Sequence, residues 1–129
     1  MESLDIVRQV GERWNAGDID GLLALYADDM VVQTGEHWPE QATLQGKAAF
    51  RESIDEWLSV WQSIEIQTAQ VEAYGDRVVA HGAWRSTGRA SGVAGEMPIH
   101  IVFTVRDGRI ARLEWFPDHE RAVAAARDA

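Results

Sequence analysis

The sequence predicts an α+β fold in which three N-terminal helices pack on a curved antiparallel β-sheet. Three segments within residues 3–62 carry apolar side chains at helical spacing, and residues 63–117 contain four β-type runs separated by short turns. Helices followed by consecutive hairpins favour a sheet whose concave side the helices close. No repeat, linker or low-complexity tract interrupts the 129 residues, so we expect a single domain over residues 1–129.

Two helices begin the chain. The first covers residues 3–15, with Val7, Val10 and Trp14 on one apolar face. Gly17 suits the left-handed residue that ends this helix, and Asp18 can cap the next one. The second helix follows at once, and the β-rich residues 30–32 come after it. Its buried face is predicted to contain Ile19, Leu22, Leu23 and Tyr26.

A loop over residues 33–46 precedes a third helix over residues 47–62. The apolar stripe of this helix contains Phe50, Ile54, Trp57, Leu58 and Trp61. Strands are predicted at residues 63–74, 77–90, 96–106 and 109–117, with tight turns at Gly75-Asp76 and Asp107-Gly108. Residues 122–126 indicate a short terminal helix.

The Asp107-Gly108 turn also predicts a register for the last hairpin. In a two-residue turn Arg106 pairs with Arg109, which places His100 opposite Trp115 and Val102 opposite Leu113 if no bulge intervenes. A preceding loop centred near Gly92 adds Trp84 to this face. The expected inner face therefore holds His100, Val102, Leu113, Trp115 and Trp84, and the outer face holds Ile101, Phe103, His81 and Arg85.

The charge balance excludes several partners. Twelve Lys and Arg against 21 Asp and Glu give a formal net charge of −9, which repels nucleic acid and anionic membranes. There is no cysteine, no apolar run long enough to span a membrane and no signal-peptide start, so we expect a cytoplasmic protein. No metal-binding or phosphate-binding motif occurs, and we expect neither a metal nor a cofactor.

Four segments carry a resemblance to a known family. They are residues 15–29 (Asn-Ala-Gly-Asp-Ile-Asp-Gly-Leu-Leu-Ala-Leu-Tyr-Ala-Asp-Asp), residues 46–51 (Gly-Lys-Ala-Ala-Phe-Arg), residues 98–100 (Pro-Ile-His) and residues 107–110 (Asp-Gly-Arg-Ile). The chain resembles the nuclear-transport-factor-2-like (NTF2-like) superfamily, in its SnoaL-like and ketosteroid-isomerase-like branch. This resemblance implies a cone-shaped fold, a homodimer through the outer sheet face and a pocket for a small hydrophobic ligand. The superfamily includes isomerases, cyclases and proteins without activity, so the reaction stays open.

The chain departs from ketosteroid isomerases at three positions that the resemblance aligns. Thr34 replaces the carboxylate base, Val10 replaces the oxyanion-hole tyrosine, and His100 replaces the oxyanion-hole aspartic acid. That reaction needs a base to carry a proton between carbons and donors to hold the enolate oxygen. We therefore do not expect steroid isomerisation by that mechanism.

Three residues are candidates for catalysis. His100, between apolar neighbours, is predicted to be neutral and to act as base or donor, and the alternative is a structural core histidine. Tyr26 is a substitute donor or a packed core tyrosine. Asp118 is an acid at the pocket rim, where SnoaL-like cyclases often keep one, or the cap of the terminal helix.

The six tryptophans predict an aromatic pocket, with the alternative that their rings fill the cone. The leading hypothesis is a SnoaL-like enzyme that performs acid–base chemistry on a hydrophobic carbonyl or polyketide-like substrate. The alternative is a non-catalytic dimeric ligand-binding module. The predicted substrate-binding residues are Trp14, Thr34, Trp38, Trp57, Trp61, Trp84, Val102, Leu113 and Trp115.

Overall fold

We describe a computed structural model of the chain, which covers residues 3–34, 43–88, 92 and 94–127. These residues form four helices and six strands. In chain order the elements are α1 (Ser3–Asn15), α2 (Ile19–Leu23), β1 (Tyr26–Gln33), β2 (Thr43–Gln45), α3 (Lys47–Val60), β3 (Trp61–Tyr74), β4 (Arg77–Gly88), β5 (Ala94–Arg106), β6 (Arg109–Phe116) and α4 (His119–Arg127).

The strands form one sheet in the order β2-β1-β6-β5-β4-β3. All neighbouring pairs are antiparallel except β1 and β6, which are parallel. The sheet is therefore mixed, whereas the sequence predicted an antiparallel one. Helices lie at both ends of the chain, and β1 and β2 separate α2 from α3, so the predicted block of three N-terminal helices is also corrected.

The boundary between the first two helices lies where the capping residues Gly17 and Asp18 predicted it. Gly17 has φ +75°, and the Asp18 side chain accepts a hydrogen bond from Gly21 N at 3.0 Å, as expected for a helix end and an N-cap. The second helix is shorter than predicted, because Leu25 O accepts a hydrogen bond from Ile110 N at 2.9 Å and the backbone joins the sheet. Tyr26 consequently begins β1 and does not belong to a helix.

The predicted register of the last hairpin is correct at its turn and wrong beyond it. Asp107 and Gly108 both have positive φ (54° and 76°), and Arg106 pairs with Arg109. A bulge at Ala111 then shifts the pairing by one residue. Because successive strand side chains point to opposite faces, this single residue reverses which side chains of β5 share a face with those of β6.

The corrected register assigns the side chains to two buried clusters. The inner face of the sheet packs against α1, α2 and α3 and includes Ile101, Phe103, Leu113, Trp84 and Trp115. The outer face carries a smaller cluster, in which Val79 and Val102 of the sheet pack against Ala122 and Ala126 of α4. Ile101 and Phe103 were predicted on the outer face as the basis of a dimer contact, and this placement is wrong.

Candidate functional site

The interior of the cone is occupied by tryptophan side chains. Trp84 lies at the centre, with ring centroids 6.1 Å from Trp14, 5.6 Å from Trp57 and 5.9 Å from Trp115. The indole of Trp14 donates a hydrogen bond to Ile64 O at 3.0 Å. These separations are typical of packed aromatic pairs, and each of the residues Trp14, Trp84 and Trp115 is only 7% exposed. This part of the cone is therefore filled.

A cavity of about 270 Å³ remains beside the filled region. It lies where the end of α3 meets the start of β3, the end of β4 and the start of β5, and its apolar wall is mainly aromatic. Ser86 is buried and supplies the hydroxyl of the cavity. The Glu96 side chain alternates to the outer face of the sheet, where it accepts a hydrogen bond from Arg85 Nε at 3.1 Å, so Glu96 borders the cavity without directing its carboxylate into it. The lining residues are Trp57, Trp61, Trp84, Ser86, Gly95, Glu96 and Met97.

The other predicted lining residues lie elsewhere. Trp14 and Leu113 belong to the packed inner cluster. Thr34 and Trp115 line a separate cavity of about 430 Å³, which Gln33, Glu114 and α4 complete. Val102 packs beneath α4 on the outer face, which corrects its prediction. Trp38 lies outside the described residues.

His100 is on the outer face, opposite to the predicted side. The bulge pairs it with Phe116 on β6, and it lies across from His81 on β4, whereas Trp84 pairs with Met97. Its Nδ1 is 3.2 Å from His81 Nδ1. The prediction that His100 faces Trp115 and Trp84 inside the cone is therefore wrong, and with it the geometry on which its catalytic role rested.

Tyr26 and Asp118 have well-defined structural surroundings. The Tyr26 ring is fully buried with its edge against Phe50 at a centroid distance of 5.2 Å, and burial raises the pKa of its hydroxyl. Tyr26 does not line the tryptophan cavity. Asp118 Oδ1 accepts a hydrogen bond from Arg121 N at 2.8 Å, so this carboxylate caps α4. The surroundings of Tyr26 are those of a packed core tyrosine, and those of Asp118 are those of a helix cap, which were the structural alternatives to their catalytic roles.

A polar cluster on the outer face was not anticipated from the sequence. We call it the outer histidine cluster, and it contains Glu72, Tyr74, His81, His100 and His119. The Tyr74 hydroxyl donates to Glu72 Oε2 at 2.6 Å, and this hydrogen bond lowers the pKa of the Glu72 carboxyl. Burial, followed by the charge of His119, lowers the pKa of His81. Alternation along β3 and β4 could have placed Glu72 and His81 on one face, but no local motif joins them to His119.

Comparison with known proteins identifies the fold. The SnoaL-like domain family model matches residues 7–113. No curated protein matches the chain significantly. Within the described residues, no helix combines the length and the apolar character needed to span a membrane.

Many solved structures share this fold at low sequence identity. A candidate polyketide cyclase from Xanthomonas campestris pv. campestris is 22% identical, with 96% of each chain covered and a TM-score of 0.80. An NTF2-like protein of unknown function from Burkholderia pseudomallei is 20% identical, with 96% of this chain and 97% of that chain covered and a TM-score of 0.81. TerC, co-crystallized with polyporic acid, is 21% identical, with 98% of both chains covered and a TM-score of 0.79.

Proposed function

This chain belongs to the SnoaL-like domain family, and we propose that it binds a flat hydrophobic carbonyl compound of the polyketide type and performs acid–base chemistry on it. The observation that carries this proposal is the cavity between Trp57, Trp61 and Trp84, which has the Ser86 hydroxyl at its wall. An apolar aromatic cavity with few polar groups is the usual form of a small-molecule site. One structural neighbour is a candidate polyketide cyclase, and TerC was co-crystallized with polyporic acid, which supports this ligand class.

The size of the cavity limits the ligand. Its 270 Å³ is slightly below the range of about 300–1,000 Å³ common for ligand pockets. A molecule of one or two fused rings fits this volume better than a steroid. The three indole rings would contact a flat apolar molecule over a large area, so we expect affinity to come mainly from these rings.

The Ser86 hydroxyl suggests how the ligand carbonyl group is activated. Ser86 is a buried hydroxyl that can donate a hydrogen bond to a ligand carbonyl oxygen and stabilise negative charge developing there. Among the described residues, Glu96 is the one acidic residue that borders the cavity, and its carboxylate lies on the outer face beside Arg85, so a water molecule accepts the proton from the carbon next to that carbonyl. This assignment needs no cofactor, and it replaces the role first given to His100.

Binding is tested with 1-tetralone, a two-ring aromatic ketone, by calorimetric titration. Trp61→Ala should weaken binding at least about tenfold, because the indole forms one wall of the cavity. Val60→Ala is the matched control, since Val60 is the preceding residue and is 60% exposed. Equal affinity of the Trp61→Ala variant and the wild type would contradict the proposed site.

Chemistry is tested on the same compound by following exchange of its α-protons in D2O by NMR. The wild type should exchange them faster than buffer, and Glu96→Gln should leave the rate unchanged, because the Glu96 side chain lies on the outer face of the sheet. Ser86→Ala should lower the rate by about 10²-fold. Saturable binding without exchange would reject the catalytic part of the proposal and leave the non-catalytic binding module.

The homodimer and the cytoplasmic location stay predictions. Ile101 and Phe103 lie inside the cone, so a dimer contact would have to use other residues of the outer face. Part of that face is already covered by α4. Sedimentation at micromolar concentration tests the dimer, which a monomer would contradict.

A further inference from the structure

The outer histidine cluster brings three metal-binding side chains together from three different elements. Glu72 comes from β3, His81 from β4 and His119 from the first residue of α4. One ligand atom from each residue lies within 4.8 Å of the other two. The cluster is on the face of the sheet opposite to the tryptophan cavity, so it is separate from the proposed ligand site.

Two of the three distances between ligand atoms fit a tetrahedral metal ion, and the third is no longer than 4.8 Å. Glu72 Oε1 is 3.4 Å from His81 Nε2 and 3.4 Å from His119 Nε2. Zinc bonds of about 2.0–2.1 Å to nitrogen or oxygen imply ligand atoms about 3.4 Å apart at the tetrahedral angle. Two imidazole nitrogens and one carboxylate oxygen suit zinc-type ions, whereas Mg²⁺ and Ca²⁺ prefer oxygen ligands alone.

The His81 imidazole is the strongest sign that a partner belongs at this position. Its side chain is only 11% exposed, and its buried Nε2 makes no well-aligned hydrogen bond with a described residue, its nearest polar contact being Glu72 Oε1 at 3.4 Å. A buried nitrogen whose hydrogen bond is poorly aligned contributes little stability, and metal coordination would satisfy it. The neighbouring Glu72 carboxylate provides the negative charge that offsets a cation.

Two further contacts orient the ligand atoms. The Tyr74 hydroxyl occupies Glu72 Oε2 and leaves Oε1 directed towards the histidines. The 3.2 Å contact between His81 Nδ1 and His100 Nδ1 allows His81 to carry its proton on Nδ1, which leaves Nε2 as a lone-pair donor. Metal-binding histidines usually donate their second N–H in this way.

We propose that Glu72, His81 and His119 bind one zinc-type divalent cation, with the fourth position open to solvent on the side of His119. His119 is 52% exposed, so a cation can reach the site from outside. Because the three ligands come from β3, β4 and α4, the bound ion would fix α4 to the outer face of the sheet. His100 is then a positioning residue, which acts through His81.

The test uses untagged protein freed of metal with a chelator and then titrated with ZnCl2 by calorimetry, with thermal unfolding measured in parallel. We expect one Zn²⁺ per chain and a rise in melting temperature that MgCl2 does not produce. His119→Gln removes an exposed ligand with little effect on folding and should weaken Zn²⁺ binding by more than about tenfold. His100→Gln should weaken it by about tenfold through loss of the His81 hydrogen bond.

Glu120→Gln is the matched control, because it changes an adjacent carboxylate on α4 that does not belong to the cluster. It should leave Zn²⁺ affinity unchanged. Absence of saturable Zn²⁺ binding to the wild type would overturn the proposal. Binding that His119→Gln leaves intact would also overturn it, since the ion would then occupy another site.

Discussion

Trp84 is the residue on which packing of the cone depends most. It contacts Trp14, Trp57 and Trp115, and it is buried between the helices and the sheet. Truncation of a buried tryptophan to alanine costs about 3–5 kcal/mol, and each aromatic pair adds about 0.5–1.5 kcal/mol beyond burial. Since Trp84 already borders a cavity and is not packed on every side, we expect Trp84→Ala to cost about 4 kcal/mol, within this range.

The assay is equilibrium unfolding in urea. With a slope of about 2 kcal/mol per molar urea, the Trp84→Ala midpoint should fall by about 2 M. Trp84→Phe keeps an aromatic ring and should lose about half as much, which gives a measurable variant if the alanine variant does not fold. Trp61→Ala, at the cavity wall, should cost about 1 kcal/mol. A Trp84→Ala cost no larger than that of Trp61→Ala would refute the filled cone.

Three further predictions concern the sheet, a helix cap and the reaction. A Cβ at Gly82 would clash with the backbone oxygen of Gln67, so Gly82→Ala should cost about 2–3 kcal/mol in urea unfolding, whereas Gly95→Ala, with its nearest atom at 3.8 Å, should be near neutral. Asp118→Ala should cost about 1 kcal/mol through the lost cap and leave 1-tetralone affinity unchanged. The resemblance aligns Thr34 with the carboxylate base of ketosteroid isomerases, so we predict that a Δ5-3-ketosteroid shows only background conjugation by absorbance.

Local signals in the sequence predicted most of the elements. The first helix has the predicted bounds, because its apolar spacing and the Gly17-Asp18 junction mark both sides of its end. The Gly75-Asp76 and Asp107-Gly108 turns form as predicted, since these residue pairs adopt turn conformations that other residues rarely accept. The terminal helix is longer than predicted because Asp118 caps it.

The candidate site was predicted less well, and one residue explains much of the difference. The bulge at Ala111 has no residue type that marks it, yet it moves His100 and Val102 away from Trp115 and Leu113 to the opposite face. Tyr26 was misplaced because its spacing fits a helix, while its backbone pairs with β6. Pairing between distant segments decided both outcomes.

The outer histidine cluster also depends on contacts between distant segments that the sequence does not mark. Glu72, His81 and His119 carry no spacing motif, and only the pairing of β3 with β4 and the packing of α4 bring them together. A search for metal-binding spacings in the sequence therefore predicts no metal site. Sheet register and helix packing are needed before these residues can be considered together.

The most direct test of the proposed function is a crystal structure of the protein with 1-tetralone bound. The account predicts the rings of the ligand against Trp57, Trp61 and Trp84, with its carbonyl oxygen within hydrogen-bond distance of Ser86 Oγ. Ligand density in the cavity beside Thr34 and Trp115, or on the outer face near His100, with the tryptophan cavity empty, would contradict it.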